Sequence, residues 1–586
     1  MAINKTKTTF KEFTFDNNGI SKIKDNKEKG QNWPVVYVLS GDKQAYVGET
    51  NNAYKRMNQH LENKKRSVMK RILLLLNDSF NKSATLDLEN QLIQFMHADG
   101  KYSLQNENAG QSVQHNYYQR SMYQQYFQEI WDELKKKNLA NKTLYEIKNS
   151  EIFKYSPYKQ LTEDQFTCVE SLLKATGDSI AKNQSRKIVI QGGAGTGKTV
   201  LAIYFIKCIM DLLTQNTNFD DIDDVLPEDS QILRSAQLIE TIQKKKNIEI
   251  GYVVPASAFR GTVRQVFRTT QGLKASMVIG PNDVAKKHYD ILIIDEAHRL
   301  KRRTKLNGPT AYKNFDSATA TLGLSNDATQ VDWMFADNRF LTVMFYDPKQ
   351  RVNISDALIE SFDKFISQAE VTTLSSQLRI EGGDRYIEFI TNLLNNKNDV
   401  YCEKDYEVIT FDDYGEMEKA IFDRNVEKEG LCRIVSGLAY PYSSRIRDKV
   451  AKKSLDIRIE GDGGKVYSRM WNIGYSDSTF ITDESHKTEI GCVYTCQGYD
   501  LNYAGVILGP DIYFDVQTQR IDIDVSKHSK KDMVNIKGGD INVAKEHILN
   551  QYLVLLTRGI YGTYIYAVDK NLREYLKQHI QKKKVC

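Results

Sequence analysis

The sequence predicts an α/β protein in which a small mixed α/β domain precedes two lobes built on parallel sheets. Three observations point there. At 586 residues the chain is too long for a single hydrophobic core. Its 41% hydrophobic and 27% charged residues strike the balance of a globular protein rather than a disordered one. After Leu161, short apolar runs alternate with helical patterns, as expected of a parallel sheet covered on both faces.

Taken in order, residues 1–30 are polar and lysine-rich and read as a loose leader. Between Trp33 and about Gly110, PVVYVLSGDKQAYVGET predicts two strands joined by a tight SGDK turn, followed by helices. HNYYQRSMYQQYFQEIWDELKKK predicts a long amphipathic helix between domains, its aromatics serving as core rather than as a stacking platform for bases. KIVIQ, IGYVV, DILIID and FLTVMFY are strand candidates, with the acidic NTNFDDIDDVLPEDS as a surface insertion among them. A second alternating block begins near Val371, with strands CRIVSG, GVILG and TYIYAV. The working division is 1–115, a helical linker at 116–160, a first lobe at 161–365 and a second at 366–586.

A net charge of +6 neither demands nor excludes a nucleic-acid partner. The basic runs Lys64-Lys65-Arg66, Lys244-Lys245-Lys246, Lys301-Arg302-Arg303 and Lys582-Lys583-Lys584 read mostly as solvated surface. Seven scattered cysteines form no disulfide framework, and the Cys492/Cys496 spacing without a second pair is no zinc signature. His97, His115, His288, His486, His528, His547 and His579 are too dispersed for a metal site. The N-terminus has no signal-like apolar stretch, and Ile72–Leu76 is too short to span a bilayer. A cytoplasmic protein with no membrane partner is expected.

KIVIQGGAGTGKT sets Gly192 to Thr199 directly after a strand, with the helical pattern VLAIYFIKCIMDLL behind it. This is G-x-x-x-x-G-K-[ST] in the context that pattern needs. Gly192, Gly195 and Gly197 let backbone N–H groups turn toward phosphate oxygens, and the helix N-terminus adds partial positive charge. Lys198 is placed for the β- and γ-phosphates and Thr199 for magnesium. DILIIDEAHRL ends an apolar strand in Asp295-Glu296, at the sheet edge where α/β folds bind ligands. Asp295 would hold magnesium and Glu296 would orient water. Packing explains such a pair poorly, because buried charges need partners. ATP hydrolysis with Mg2+ is expected.

From 161 to about 570 the chain resembles the superfamily 1 helicases, whose fold is two RecA-like lobes. Gln165 in LTEDQ resembles that family's adenine-reading glutamine, and Arg260 in VVPASAFRGTV falls where the family contacts single-stranded DNA. Asp347 and Gln350 in MFYDPKQRV resemble the element that couples the γ-phosphate to the DNA track. LSSQLR supplies Gln377 and Arg379 and YLVLLTRGIYG supplies Arg558; the two arginines resemble the pair that neutralises transition-state charge from the second lobe. Thr495, Gln497 and Gly498 match the family's TxQG element, but Asp500 stands where a glutamate is common. His298 is expected to couple the lobes rather than to bind metal.

In the N-terminal segment, Tyr37 and Tyr46 fall on the two hairpin strands, and Gly48 leaves room for close approach. Arg56 and His60, four residues apart, share a helix face. A cation and an imidazole beside two tyrosines suit a phosphodiester. Glu89 borders the apolar face of LDLENQLIQFMH, where it is either a rim glutamate or the ligand of a divalent cation. Together, Val35-Val36-Tyr37, Tyr46-Val47-Gly48, Arg56, His60 and Glu89 resemble the GIY-YIG nuclease family over about 33–110. Asn106 looks like its following asparagine, with Asn108 competing. The resemblance assigns Glu89 to one magnesium or manganese ion and Arg56 to the scissile phosphate, with a tyrosine or His60 as base. The first motif lacks its glycine, and the loop Val38 to Ala45 is short.

The expected enzyme is an ATP-dependent DNA helicase or translocase coupled to a metal-dependent DNA endonuclease, acting on single-stranded or tailed duplex DNA in defence or repair. The competing expectation is an ATP-driven remodeller whose N-terminal domain docks on DNA without cutting. RNA as the track is a third.

Overall fold

The computed structural model describes residues 7–24, 32–106, 120–193, 195–213, 247–306, 308–375, 380–402, 406–428, 430–440, 455–460, 464–471, 480–481, 483–496, 499–529 and 541–580. The chain divides into two compact units. The first comprises Met1–Lys182, Thr199–Asn247 and Val263–Ala275; the second comprises Asn183–Lys198, Ile248–Thr262 and Ser276–Cys586.

The first unit is built on a five-stranded sheet in the order β1-β4-β2-β3-β5. β2 (Val35–Ser40) and β3 (Gln44–Thr50) form the expected hairpin, with Tyr37 opposite Gly48 and Leu39 opposite Tyr46. β4 (Arg71–Leu76) pairs antiparallel with β2 on one side and with β1 (Thr9–Thr14) on the other. The leader was thus expected to be loose, yet it supplies an edge strand, followed by α1 (Asn17–Lys24). The reason lies in β4, whose RILLLL run is almost wholly buried and needs cover on both faces and along its ladder. β5 (Ser103–Leu104) pairs parallel with β3 at the other edge.

Strand periodicity sorts the side chains onto two faces. Val35, Tyr37, Leu39, Tyr46, Ile72 and Leu74 pack with Ile20 and Ile23 of α1 and with Met57 of α2 (Ala53–Glu62). Val36, Val38, Val47, Leu73 and Leu75 pack with Leu92 and Met96 of α3 (Lys82–Asp99). Phe127, Ile130, Trp131 and Leu134 of α4 (Arg120–Lys136) join that second cluster, followed by the short helices α5 (Leu144–Asn149) and α6 (Glu151–Lys154). The helix expected as a spacer therefore buries its aromatic face in the N-terminal core. α7 (Glu163–Lys182) also belongs to this unit.

The second unit carries two parallel sheets. The first has the order β11-β6-β10-β9-β7-β8. It is formed by β6 (Arg186–Gly192), β7 (Ile250–Val253), β8 (Val278–Ile279), β9 (Ile291–Ile294), β10 (Leu341–Tyr346) and β11 (Glu370–Leu374). Every pairing in it is parallel, and the strands named from sequence are its centre. β11 lies where the second block was expected to begin, but it pairs with β6 and extends the first sheet instead. Only then comes the second sheet, in which β12 (Glu407–Thr410) and β13 (Cys432–Ser436) are followed by the ribbon β14 and β15 (Ile457–Glu460, Val466–Arg469). β16 (Ile490–Cys492), β17 (Leu501–Leu508), the ribbon β18 and β19 (Ile512–Asp515, Arg520–Ile523) and β20 (Gly559–Ala567) follow; the sheet itself consists of β12, β13, β16, β17 and β20, and each ribbon is a separate antiparallel pair. The order β12-β20-β17-β13-β16 is again all parallel. This is the expected α/β architecture: a small mixed sheet followed by two parallel-sheet lobes.

Among the described residues no helix is long and apolar enough to cross a membrane. Cys168, Cys208, Cys432, Cys492 and Cys496 are buried free thiols, whereas Cys402 is disulfide-bonded, a departure from the expectation of unbridged cysteines. The acidic insertion expected at NTNFDDIDDVLPEDS lies outside the described residues.

Candidate functional site

The hairpin and α2 bring the N-terminal residues together on one face of the sheet. Arg56 Nε donates to the Tyr37 hydroxyl oxygen at 3.4 Å, and that hydroxyl lies 2.7 Å from His60 Nε2. With Arg56 donating to its oxygen, Tyr37 can still give its phenol proton to a His60 whose own proton sits on Nδ1. The Tyr46 ring stacks 6.2 Å from Tyr37 and meets His60 edge-on at 5.0 Å. Gly48 is required by this packing: a Cβ there would sit 2.3 Å from the Tyr37 hydroxyl.

Burial, then Arg56 and Arg66, push the His60 pKa down to about 2, so the ring is neutral throughout the working range. Burial, then Tyr46, push the Tyr37 phenol well above its ordinary range; Arg56 pulls the other way, and Glu89 adds to the rise. Glu89, buried on α3, therefore lies within the field of Tyr37. A carboxylate held in a protein interior beside a protonated phenol is suited to a hard divalent cation. Among the described residues there is no group of three or more His, Cys, Asp or Glu that could hold a metal, so a cation here would rest on Glu89 with water or substrate oxygens.

Two residues that the sequence did not place at the site, Arg66 and Glu49, support this cluster, as does the expected Asn106. Arg66 was expected in a solvated basic run, yet it is 3% exposed and its guanidinium lies 3.9 Å from the Tyr46 ring centroid. Its Nη1 donates to Gln105 Oε1 at 2.6 Å. Asn63, which caps the 3-10 turn Lys64–Arg66, is the one local signal that this run turns inward. Glu49, buried on the opposite face from Gly48, accepts from Thr85 Oγ1 at 3.1 Å and pairs with Lys82. Thr85 stands one helical turn before Glu89, so Glu49 holds the helix of the metal candidate against the second motif. Asn106 accepts from Val47 N at 2.9 Å and donates to Val47 O at 2.7 Å, extending the ladder of β3 by a side chain. Its rival Asn108 lies outside the described residues.

In the second unit, sheet register aligns the nucleotide candidates. Tyr346 pairs with Gln191 and Met344 with Ile294, so Gly192, Asp347 and Asp295 follow at neighbouring strand ends. Gly195 and Gly197 adopt φ of 86° and 75°, conformations that favour glycine. Lys198, the first residue of α8 (Lys198–Leu213), donates to the carbonyls of Gly192 and Gly193 at 2.6 and 2.7 Å. A curled loop with an ammonium held at its centre is a cradle that polyphosphate fits. Thr199 is the second residue of that helix.

Asp295 is fully buried and accepts from Tyr252 Oη at 2.7 Å. Glu296 adopts a left-handed φ of 46°, a conformation that costs energy in a non-glycine residue. Its Oε2 lies 3.0 Å from His298 Nε2. Burial pushes this carboxyl up, but His298, then Lys198 and Arg299, outweigh it and hold the group below its ordinary range. Glu296 is thus an ionised acceptor beside the phosphate loop. Gln350 Nε2 donates to Asp347 Oδ2 at 2.7 Å, tying two of the resembling positions together.

The remaining sequence candidates make contacts of their own. Gln165 belongs to the first unit, where its side-chain oxygen accepts from Thr162 N at 3.1 Å. Arg558 is 1% exposed, donating to the carbonyls of Val554 at 3.0 Å and Tyr499 at 3.3 Å, all on the second lobe. Gln377, Arg379, Gln497 and Gly498 lie outside the described residues.

Residues 34–102 match the GIY-YIG catalytic domain. Residues 185–569 match the DNA/RNA helicase domain of Schlafen group 3. An uncharacterized protein of Saccharomyces cerevisiae is 26% identical over 416 residues, which is 66% of this chain and 83% of the yeast protein. A crystal structure of Bacteroides Pif1 bound to single-stranded DNA covers 67% of this chain and 91% of that one, at 10% identity and a TM-score of 0.23. With a nuclease domain and an ATP-hydrolysing helicase domain fused in one polypeptide, the chain is an enzyme that belongs to the Schlafen group 3 helicase-domain family and carries a GIY-YIG catalytic domain at its N-terminal side.

Proposed function

We propose that ATP turnover in the helicase domain drives movement along DNA and controls metal-dependent cleavage of that DNA by the N-terminal domain, in defence against foreign DNA or in DNA repair. The observation that carries this reading is the Tyr37–His60–Arg56 cluster with Glu89 in its field, on the same chain as a phosphate loop flanked by Asp295 and Asp347.

At the nuclease site, Glu89 would hold magnesium or manganese, which would supply Lewis-acid activation of the phosphate. Arg56 binds a non-bridging oxygen. Tyr37 keeps its proton and His60 stays neutral, so that pair orients the site, and the base is Tyr46 acting as its phenolate: its own proton first leaves to solvent, and it then takes the proton of the attacking water. At the motor site, Lys198 would bind the β- and γ-phosphates, Thr199 and Asp295 would hold magnesium, and ionised Glu296 would orient water. Gln350 senses the γ-phosphate, Gln165 reads adenine, and Arg379 and Arg558 neutralise charge in the transition state. For Arg558 this needs release from the carbonyls it now serves. We place the protein in the cytoplasm, with domains at 1–115, 116–160, 161–365 and 366–586.

The test is cleavage of a labelled, tailed DNA duplex with magnesium or manganese, with and without ATP, beside Glu89→Ala. Cutting that ATP alters and Glu89→Ala abolishes supports the reading. Intact DNA-stimulated ATPase with no cutting under any condition moves the N-terminal domain to a docking role. The matching family's description names both DNA and RNA, so an RNA strand of the same sequence belongs in the assay.

A further inference from the structure

Three helices that serve different chemistry meet at one buried junction inside the first unit. α3, which carries Glu89, ends in a turn containing His97, itself only 7% exposed. His97 Nε2 lies 3.2 Å from the carbonyl oxygen of Thr269, the last residue of α9 (Ser257–Thr269). The His97 ring also packs edge-on against Tyr158, with centroids 4.7 Å apart. α8 brings Lys207 and Asp211, which pair with each other and are both buried. Burial, partly offset by the Thr269 carbonyl and reinforced by Lys207, pushes the His97 pKa down to about 4. A neutral ring facing a carbonyl must carry its proton on Nε2, so His97 donates to Thr269.

α8 starts at Lys198 of the phosphate loop, and Lys207 stands nine residues along it, about two and a half turns. α9 has Arg260 in its first turn and Thr269 at its end. A helix is stiff, so a shift at either start is delivered to the junction, where close packing leaves discrete alternatives rather than gradual yielding. We propose that His97 is the positioning residue through which nucleotide turnover at the phosphate loop sets the cleavage activity of the N-terminal domain. Its single hydrogen bond joins the nuclease helix to α9, beside the ion pair of the phosphate-loop helix. This rests on the reading that the N-terminal domain cuts DNA and that ATP alters the cutting.

The experiment compares the wild-type chain with His97→Ala and His97→Gln, the latter keeping a donor. Three rates are read on one tailed duplex: DNA-stimulated ATPase, cleavage without nucleotide and cleavage with ATP. For His97→Ala the first two are expected to stay within about twofold of wild type, while an ATP effect of the usual size of allosteric coupling, about 5–150-fold, collapses toward one. His97→Gln should recover much of that effect, which a merely structural role would not require. An undiminished ATP effect in a folded His97→Ala protein overturns the proposal. If the wild type itself cuts but ignores ATP, the coupled reading fails first, and if it does not cut at all, the nuclease reading fails. Should both variants misfold, hydrogen exchange on the wild-type chain decides. A non-hydrolysable ATP analogue should change protection of the α3 amides at residues 82–99, and unchanged protection overturns the proposal.

Discussion

At the scale of single residues, the nuclease site depends on contacts too tight to survive small changes. Gly48 is the sharpest case. A methyl group there would meet both the hydroxyl and the ring carbon of Tyr37, at 2.3 and 2.4 Å, and Tyr37 is itself fully buried. The ring cannot retreat without breaking its bonds to His60 and Arg56. Gly48→Ala should therefore reduce DNA cleavage by about 10²-fold, the cost of a misplacement near 1 Å, while leaving ATPase turnover intact. Parallel cleavage and ATPase assays check this, and unimpaired cleavage would remove Tyr37 from the site. The same residues mark what a sequence can reveal. Tyr37, Tyr46, Arg56, His60 and Glu89 stand out as candidates in the sequence because fixed spacings on a hairpin and two helices carry them, and the structure brings the first four into contact with Glu89 in their field. Arg66 does not stand out, because its contact with Tyr46 is made only when the turn after α2 folds back under β3.

At the scale of elements, long strands with apolar runs were read correctly, and the errors fell where polar residues hide a structural role. TFKEFT in β1 is half-exposed, as an edge strand must be, so its pattern resembles a leader. β11 likewise presents Glu370 and Val371 to solvent, and only its pairing with β6 assigns it to the first sheet. The helix α4 was recognised, but its partner was not, since an aromatic face does not say which core it enters. Trp131 is fully buried among Phe95, Phe127 and the helix α3 residues, with its Nε1 donating to Lys142 O at 3.0 Å. Trp131→Ala should cost about 3–5 kcal/mol of the first unit's stability. Thermal unfolding would show a lowered transition together with lost cleavage. A variant with wild-type stability would make α4 the free spacer first expected.

At the scale of the whole molecule, two buried histidines make the first unit acid-labile. His60 and His97 have folded pKa values of about 2 and about 4, both below the ordinary 6.5. Below pH 6.5 the unfolded chain binds protons that the folded one refuses, so stability is complete above 6.5 and is lost as pH falls toward 4, and for His60 toward 2. By pH 5 each should have removed about 2 kcal/mol, from 1.5 pH units at about 1.36 kcal/mol each. Denaturant unfolding monitored by cleavage between pH 7 and 5 checks this, with His97→Gln expected to flatten part of the slope. A pH-independent midpoint would show that one or both rings are not buried as described.

Two active sites on one chain also raise the question of whether they must be on the same molecule. If ATP acts on cleavage through α3, α8 and α9, the link is intramolecular. If the motor merely remodels DNA for any nearby nuclease, it is not. Lys198→Ala leaves the Tyr37–His60–Arg56 cluster untouched, and Glu89→Ala leaves the phosphate loop untouched, so each variant keeps one site. An equimolar mixture of the two should cut DNA at the nucleotide-independent rate, with no response to ATP even though ATP is being hydrolysed. Added wild-type protein should restore the response. A mixture that responds to ATP as fully as the wild type would mean that the DNA carries the signal between molecules, and the helices would then only support two independent enzymes. The mixture distinguishes these outcomes because both need the same residues and differ only in whether those residues share a backbone.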